Sequence, residues 1–162
     1  INKRKGPTYV RLHKDPRPAI YNQNEEFKSG YQILKKEEKF CIISSGLMTE
    51  TALKIYQYLK DENINASIID LLKIKPVDTL KLSKEIAKYK KIVTIEDNSI
   101  IGGIGSICSE IITDYDLKTK LKKFAIKDEQ TFIYGNPEWL LKQYNLDSEG
   151  LSNSIKKFFS KN

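Results

Sequence analysis

The strongest constraint on the fold is a stretch from Lys39 to Ser106 in which three short apolar runs alternate with helical patterns. Each run is rich in β-branched residues and is followed by turn residues and then by a segment of helical periodicity. A strand that is apolar on both faces lies in a sheet that helices cover on both sides. The sequence therefore predicts an α/β fold, a three-layer α/β/α sandwich around a mostly parallel sheet of about five strands. The first two runs lie in FCIISSG (40–46) and ASIIDL (66–71), and the third predicts a strand over residues 91–96, KIVTIE.

Capping residues and apolar stripes predict the helices between and after these strands. Thr49, Asp78 and Asp147 are the predicted N-caps of three helices. Asn136-Pro137 predicts a further helix start, because a proline in the first turn loses no hydrogen bond. The clearest stripe has the period of a helix and contains Ile104, Ile107, Cys108, Ile111, Ile112 and Tyr115. The other predicted inner faces are Ala52, Leu53, Ile55, Tyr56 and Leu59; Leu80, Leu82, Ile86 and Tyr89; Trp139, Leu140 and Tyr144; and Leu151, Ile155, Phe158 and Phe159.

Length and composition predict one globular domain without a membrane segment. The chain has 162 residues, of which 40% are hydrophobic and 30% are charged. No apolar run approaches the roughly 20 residues of a membrane-spanning helix, and no secretory signal is recognisable. Because the chain lacks an initiator methionine, we expect a mature piece or a fragment of something longer. Cys41 and Cys108 lie in apolar segments, which favours buried thiols and a cytoplasmic location, and the single histidine, His13, argues against a metal site.

The net charge of +7 raises the alternative of a nucleic-acid binder. The lysines, however, are spread along predicted helix faces and chain ends rather than interleaved with aromatic residues. We therefore expect no nucleic-acid partner and a lysine-rich solvated surface, whose positive field favours the approach of anionic, phosphorylated substrates.

The chain divides at a linker-like segment near its amino end. Residues 6–12, GPTYVRL, predict a short strand, whereas residues 13–30 carry prolines and asparagines with little apolar periodicity. We expect residues 1–12 to end a preceding domain, residues 13–30 to be a linker, and residues 31–162 to form the compact domain.

Three short motifs have both a functional and a structural interpretation, and the structural one is favoured for each. Gly102-Gly103-Ile104-Gly105 precedes a helix, as a phosphate-binding loop does, but its spacing matches no such motif, and a tight turn with close helix approach is favoured. Ser44-Ser45-Gly46 only loosely resembles a nucleophile elbow, and we expect the serines to end a strand. Glu96-Asp97 suggests an acid/base pair, but capping of the following loop or pairing with a lysine is favoured.

Basic residues cluster in RLHKDPR, which holds Arg11, His13, Lys14 and Arg17 beside the predicted domain junction. Such a cluster suits a phosphate or carboxylate ligand, because arginine grips these anions with two parallel hydrogen bonds. A solvated basic linker explains the same residues equally well, and both interpretations stay open.

Taken in order, several segments resemble the carboxy-terminal domain of the transketolase-like, thiamine-diphosphate-dependent enzymes. GPTYVRLHKDPRP resembles the end of that family's pyrimidine-binding domain, and SSGLMTETALKIYQYL resembles its first strand–loop–helix. IIDLLKIKPVD, IVTIEDNSIIGGIGS and the tail FIYGNPEWLLKQYNLDSEGLSNSIKKFF follow in the expected places. The resemblance covers nearly the whole chain and is greatest to the separately encoded carboxy-terminal half of bacterial transketolases.

The resemblance implies a part of a transferase that moves ketol units between phosphosugars. It implies thiamine diphosphate and Mg²⁺ bound by the pyrophosphate- and pyrimidine-binding domains, neither of which is on this chain, so we expect no catalytic, cofactor-binding or metal-binding residue here and no activity of the chain alone. It further implies that this domain supports homodimer assembly and the substrate entrance. Arg11, His13 and Lys14 are the candidates for contacting a substrate phosphate.

Two alternatives to this interpretation stay open. The same domain occurs in 1-deoxyxylulose-5-phosphate synthase and in the β chains of 2-oxoacid dehydrogenases, which implies a different reaction in the complete enzyme. The other alternative is a non-catalytic α/β assembly or binding module.

Overall fold

A five-stranded sheet forms the centre of the chain in a computed structural model that describes residues 5–12, 17–22, 25 and 27–160. The strands lie in the order β1-β3-β2-β4-β5, and β2, β3, β4 and β5 pair in parallel. Only β1 runs antiparallel, against β3. The predicted mostly parallel sheet is therefore confirmed. The strands are β1 (Tyr31–Lys35), β2 (Phe40–Ser44), β3 (Ala66–Leu71), β4 (Lys91–Ser99) and β5 (Lys120–Ile126).

Helices cover both faces of this sheet, as the predicted sandwich requires. They are α1 (Met48–Asp61), α2 (Thr79–Ile86), α3 (Ile104–Asp114), α4 (Pro137–Gln143) and α5 (Ser148–Ser160). Side chains alternate along each strand, so Ile42 packs with α1 and α5 while Cys41 and Ile43 pack with α2 and α3. Both faces of β2 and β3 are buried, which explains why their sequences are apolar without alternation. In the part of the chain that the structure describes, no helix has the length and apolar character needed to cross a bilayer.

The antiparallel edge strand β1 is an element that the sequence did not predict individually. Its residues YQILK are only half-buried, so they lack the apolar run that marks a central strand. The turn before it depends on Gly30, which has a φ of +80° and whose carbonyl accepts hydrogen bonds from the amides of Leu72 and Lys73. Pairing with β3 therefore places β1, and its own sequence does not.

The predicted N-cap of the first helix is wrong by two positions, since the cap residue is Leu47 and not Thr49. Helix α1 begins at Met48, and Thr49 lies in its first turn, where its side chain is buried. The chain turns sharply at Gly46, whose φ is +59°, and the amide of Thr49 donates to the carbonyl of Gly46. This turn starts the helix without a side-chain cap and directs the threonine hydroxyl inward.

Other helix starts are confirmed. The Asp78 carboxylate accepts a hydrogen bond from the Lys81 amide at 2.9 Å, and the Asn136 side chain accepts one from the Trp139 amide at 2.8 Å. Asp147 directly precedes α5 as predicted, and its backbone carbonyl accepts from the Leu151 amide.

Three further details differ from the sequence predictions. Residues 5–12 form no strand and are exposed, because a segment without a pairing partner cannot satisfy the ladder hydrogen bonds that define a strand. Leu80, Trp139 and Tyr115, which were predicted to face inward, are 54%, 44% and 38% exposed. Strand β4 continues three residues beyond the predicted end at Glu96, to Ser99.

The directions of the connections between strands mark one point at the carboxyl edge of the sheet where a crevice forms. All four parallel strands end at the same edge, and β2 leads through α1 to β3, whereas β4 leads through α3 to β5 on the opposite side. Adjacent strands whose connections depart in opposite directions leave a crevice between them, where open α/β folds bind ligands. In this chain that crevice lies between the ends of β2 and β4.

Candidate functional site

Polar side chains join the ends of strands β2 and β3 at the carboxyl edge. Ser44 is fully buried, and its hydroxyl donates to the Thr49 hydroxyl oxygen at 3.1 Å. The Ser45 hydroxyl donates to the Leu71 carbonyl at 2.8 Å. The predicted strand-ending role of the two serines fits these contacts, and the buried Ser44 hydroxyl is not presented to a substrate.

Asp70, near the end of β3, is the centre of a second polar contact. Its carboxylate oxygen Oδ2 accepts a hydrogen bond from the Tyr21 hydroxyl at 2.5 Å, while Oδ1 is buried without a hydrogen-bond partner among the described residues. Burial raises the pKa of Asp70, although the hydrogen bond from Tyr21 acts in the opposite direction. Burial, with the neighbouring Asp70, also raises the pKa of Tyr21. This pair is therefore a part-buried contact between the predicted linker and the sheet.

The described part of the predicted linker lies against the domain rather than away from it. Arg17 forms an ion pair with Glu50 of α1 at 3.1 Å. The Tyr21 ring packs edge-on against Phe27 with ring centroids 4.9 Å apart. Together with the Tyr21–Asp70 hydrogen bond, these contacts hold residues 17–22 across the carboxyl edge of β3 and the start of α1.

The glycine-rich segment before α3 is built around a buried carboxylate. Glu96 is 5% exposed, and its two oxygens accept hydrogen bonds from the amides of Ile104 at 2.6 Å and Gly105 at 2.8 Å. These amides are among the unpaired donors at the start of α3, where the helix dipole favours a negative charge. Glu96 therefore caps α3, in agreement with the favoured sequence interpretation.

Two glycines of this segment are required by the closeness of their neighbours. A Cβ atom at Gly103 would lie 1.9 Å from the Oε2 atom of Glu96. At Gly105 it would lie 2.7 Å from the Thr94 hydroxyl oxygen and 2.6 Å from the Lys123 side chain. The predicted structural role of the glycines, close approach of the helix, is therefore confirmed.

The electrostatics of Glu96 follow from this buried position. Burial raises its pKa, while the amides of Gly105 and Ile104 and the positive charge of Lys123 act in the opposite direction. The Lys123 ammonium itself donates to the Ile100 carbonyl at 3.2 Å, which joins β5 to the loop before α3. Because Glu96 is engaged with backbone donors, it forms no acid/base pair with Asp97, whose side chain is exposed.

The predicted phosphate-contacting residues are only partly described by the structure. Arg11 lies in the exposed segment 5–12, and His13 and Lys14 lie outside the described residues. Arg17, from the same basic cluster, is engaged by Glu50. The structure thus leaves the assignment of Arg11, His13 and Lys14 as a prediction.

With this geometry in place, comparison with known proteins identifies the family. Residues 30–151 match the family model described as "Transketolase, C-terminal domain". The chain belongs to this family. Its transketolase carboxy-terminal fold is also that of a "Split gene transketolase, inactive beta4 tetramer", which aligns with a TM-score of 0.76 and 28% identity over 86% of this chain and 46% of that one.

Curated relatives show the same domain in larger proteins. A "Putative transketolase C-terminal section" of Methanocaldococcus jannaschii is 36% identical over 97% of this chain and 49% of its own length. A "1-deoxy-D-xylulose-5-phosphate synthase" of Clostridium tetani is 32% identical over 93% of this chain and 24% of its own length. The chain therefore spans about half, or less, of the relatives that it matches.

The amides of Ile104 and Gly105 at the start of α3 are not free to hold the diphosphate of a cofactor. The start of α3 is the position where a glycine-rich loop would hold a diphosphate, but the Glu96 carboxylate already occupies its amides. A diphosphate brought there would also meet a negative charge at a buried position. Within the described ranges, no group of histidine, cysteine, aspartate or glutamate residues is arranged to hold a metal ion.

Sequence reasoning missed the contact between Tyr21 and Asp70. The only available signal was the polar Asp70 inside the apolar run ASIIDL, because a charge in a buried strand requires a partner. Nothing in the spacing indicated that the partner lies 49 residues earlier, in a segment of linker composition.

Proposed function

We propose that this chain is the carboxy-terminal domain of a thiamine-diphosphate-dependent transketolase that transfers ketol units between phosphosugars in the cytoplasm, as part of carbohydrate metabolism. The match of residues 30–151 to the family is the observation that carries the proposal. The Methanocaldococcus relative, which is itself named a carboxy-terminal section, supports assembly with a separate partner chain. In this role the domain supports homodimer assembly and the substrate entrance, and cofactor chemistry takes place elsewhere.

The proposed partners are the pyrophosphate- and pyrimidine-binding domains of the same enzyme. They would bind thiamine diphosphate and Mg²⁺. The start of α3 offers no alternative site for the diphosphate, because Glu96 already accepts hydrogen bonds from the amides of Ile104 and Gly105. Residues 1–12 would end the pyrimidine-binding domain, residues 13–30 would link it, and residues 31–162 would form this domain. The contacts of Arg17 and Tyr21 support a linker that is held against the domain.

Calorimetry with thiamine diphosphate and Mg²⁺ tests this division of roles. We expect no heat of binding from the 162-residue chain alone and saturable binding after addition of the chain that carries the other domains. Tight cofactor binding by the 162-residue chain alone would contradict the proposal. An assembled enzyme that does not transfer ketol units from a ketose phosphate to an aldose phosphate would contradict the assigned reaction.

Arg11 is the described residue proposed to contact the substrate phosphate. In the assembled enzyme, R11Q should raise the KM for a phosphosugar roughly tenfold, the loss of one charge-assisted contact, and leave the KM for its dephosphorylated analogue unchanged. R11K is the matched control, since it retains the charge but not the two parallel hydrogen bonds, and an intermediate KM is expected. Equal changes for both substrates would show that Arg11 has only a structural role.

One relative supports a second candidate reaction. The 32% identity to a 1-deoxy-D-xylulose-5-phosphate synthase over 93% of this chain is compatible with the same domain serving that synthase reaction. Assaying the assembled enzyme for deoxyxylulose phosphate formation and for ketol transfer separates the two candidates, because each predicts only one of the products.

A further inference from the structure

A groove of about 500 Å³ lies at the carboxyl edge of the sheet, and we call it the switch-point groove. Its apolar wall includes Met48 from α1, Ile126 from β5 and Leu141 from α4. Asp97, just past the buried part of β4, lines the same groove. It therefore lies beside the crevice between β2 and β4 that the topology defines. Its volume and mixed lining are those of a small-molecule site rather than of an accidental surface dent.

The charge of the switch-point groove is opposite to that of the whole chain. Asp97, Glu138 and Asp147 line it, and none of them forms an ion pair in the portion of the chain that the structure describes. Among the described lining residues the one ammonium group is that of Lys54, so negative charge is in excess. On a chain of net charge +7, this local excess creates a field that attracts cations to one place.

The protein already places one cation at this site. The guanidinium of Arg17 extends from the linker and pairs with Glu50 on the groove lining at 3.1 Å. The half-buried ring of Tyr144 also lines the groove, and aromatic faces attract ammonium and guanidinium groups. Carboxylates, an aromatic ring and an apolar wall together are the chemistry that recognises an organic cation.

We infer that the switch-point groove binds a small organic cation, an ammonium or guanidinium group carried on an apolar body. The cation would face the carboxylates of Asp97 and Glu138, and the apolar body would lie against Met48 and Leu141. This site is separate from the proposed transketolase reaction, whose cofactor and phosphosugars are anionic. The inference therefore stands or falls independently of the proposed function.

Three compounds of one shape test the inference directly. Benzamidine is a cation, benzamide is its neutral counterpart and benzoate its anionic counterpart. In NMR titrations of the ¹⁵N-labelled chain, benzamidine should shift the amides of residues 47–51 and 138–141 and should bind roughly tenfold more tightly than benzamide. Benzoate should shift none of these amides. Equal affinities of the three compounds, or shifts confined to other surfaces, would overturn the inference.

Substitution of the carboxylates separates a specific site from general attraction. D97N/E138Q should weaken benzamidine binding about tenfold. The control E110Q/D114N removes the same charge from the exposed face of α3, outside the groove, and should leave the affinity unchanged. Equal losses in the two double variants would show that net charge alone attracts benzamidine, which would overturn the inference.

Removing the Arg17–Glu50 ion pair should strengthen benzamidine binding, whereas removing the carboxylates should weaken it. R17Q removes the competing guanidinium and releases Glu50, so benzamidine should bind about threefold more tightly. Weaker binding by R17Q would contradict the inference. Hydrogen exchange on the assembled enzyme tests whether the groove is filled by protein instead. If the partner chain strongly protects the amides of residues 47–51 in the absence of ligand, a protein segment fills the groove and the inference is wrong.

Discussion

Replacing Gly103 by alanine tests whether the glycine-rich segment serves to admit the Glu96 carboxylate. The backbone of Gly103 has φ −86° and ψ −164°, an extended conformation that alanine also adopts. Alanine at position 103 should therefore introduce no backbone strain. The only obstacle is steric, because the new Cβ would lie 1.9 Å from Oε2 of Glu96.

The magnitude follows from the hydrogen bonds that this contact would break. To reach an ordinary contact distance the carboxylate must retreat by about 1.5 Å. Hydrogen bonds of 2.6 Å and 2.8 Å to the amides of Ile104 and Gly105 do not survive such a movement. Each bond to a charged group contributes about 1.5–3 kcal/mol, so we expect G103A to lower the free energy of unfolding by about 3 kcal/mol after partial relaxation.

A double-mutant cycle with E96A isolates this steric cause. E96A alone leaves the two amides without their acceptor and should cost about 2 kcal/mol. In the E96A background the Cβ atom introduced by G103A enters space that the carboxylate has left, so G103A should then change stability by less than about 0.5 kcal/mol. The coupling free energy between Gly103→Ala and Glu96→Ala should therefore be about 3 kcal/mol.

Urea unfolding, followed both by far-UV circular dichroism and by tryptophan fluorescence, measures all four corners of the cycle. Coincident transitions from the two probes establish that each free energy refers to a two-state change. If G103A were equally destabilising with and without the Glu96 carboxylate, the steric explanation would be refuted.

Three further outcomes follow from buried groups. Y21F should cost about 1–3 kcal/mol in urea unfolding, because it removes the hydrogen bond to the buried Asp70 carboxylate. Burial raises the pKa of Asp70 above its ordinary 3.8. Protonated Asp70 therefore stabilises the fold fully below pH 3.8, and this stabilisation is lost as the pH rises through the pKa of the folded state. D70N should remove this pH dependence from the free energy of unfolding. Burial raises the pKa of the Cys108 thiol to about 12 and that of Cys41 well above its usual range, so neither should react with a thiol reagent at a mildly alkaline pH until urea unfolds the chain.

Matched controls define what would contradict these outcomes. Y58F alters an exposed tyrosine of α1 and should leave the free energy of unfolding unchanged; an equal loss in Y21F and Y58F would remove the role assigned to Tyr21. D114N, at an exposed site, should keep the wild-type pH profile, and a D70N profile of the same shape would show that Asp70 does not contribute. Rapid labelling of either cysteine in the folded chain would contradict its burial.

The central strands were predictable because each is buried on both faces. ASIIDL, predicted as a strand at 66–71, is strand β3 without a change of boundary. Caps at Asp78 and Asn136 were equally local, since each side chain bonds an amide three residues ahead. Strand β1 was not predicted, because an edge strand with half-buried residues is placed by its partner and not by its own apolar pattern.

The candidate site was less predictable, because its contacts join distant parts of the chain. The sequence indicated that glycines precede α3 and that Glu96 ends a buried run. Only the folded geometry shows that the missing side chain of Gly103 leaves the space that the Glu96 carboxylate occupies. Likewise, composition led us to predict a linker over residues 13–30, but only the tertiary structure shows that Tyr21 lies against Asp70.

Taken alone, the sequence determined the fold class, the order of most elements and the family resemblance, because periodicity and capping act over a few neighbouring residues. The tertiary structure decided which carboxylates are engaged by backbone amides, which ones line the switch-point groove, and where residues 17–22 lie. Those properties depend on burial and on distances between residues far apart in the chain, and neither is encoded in local spacing.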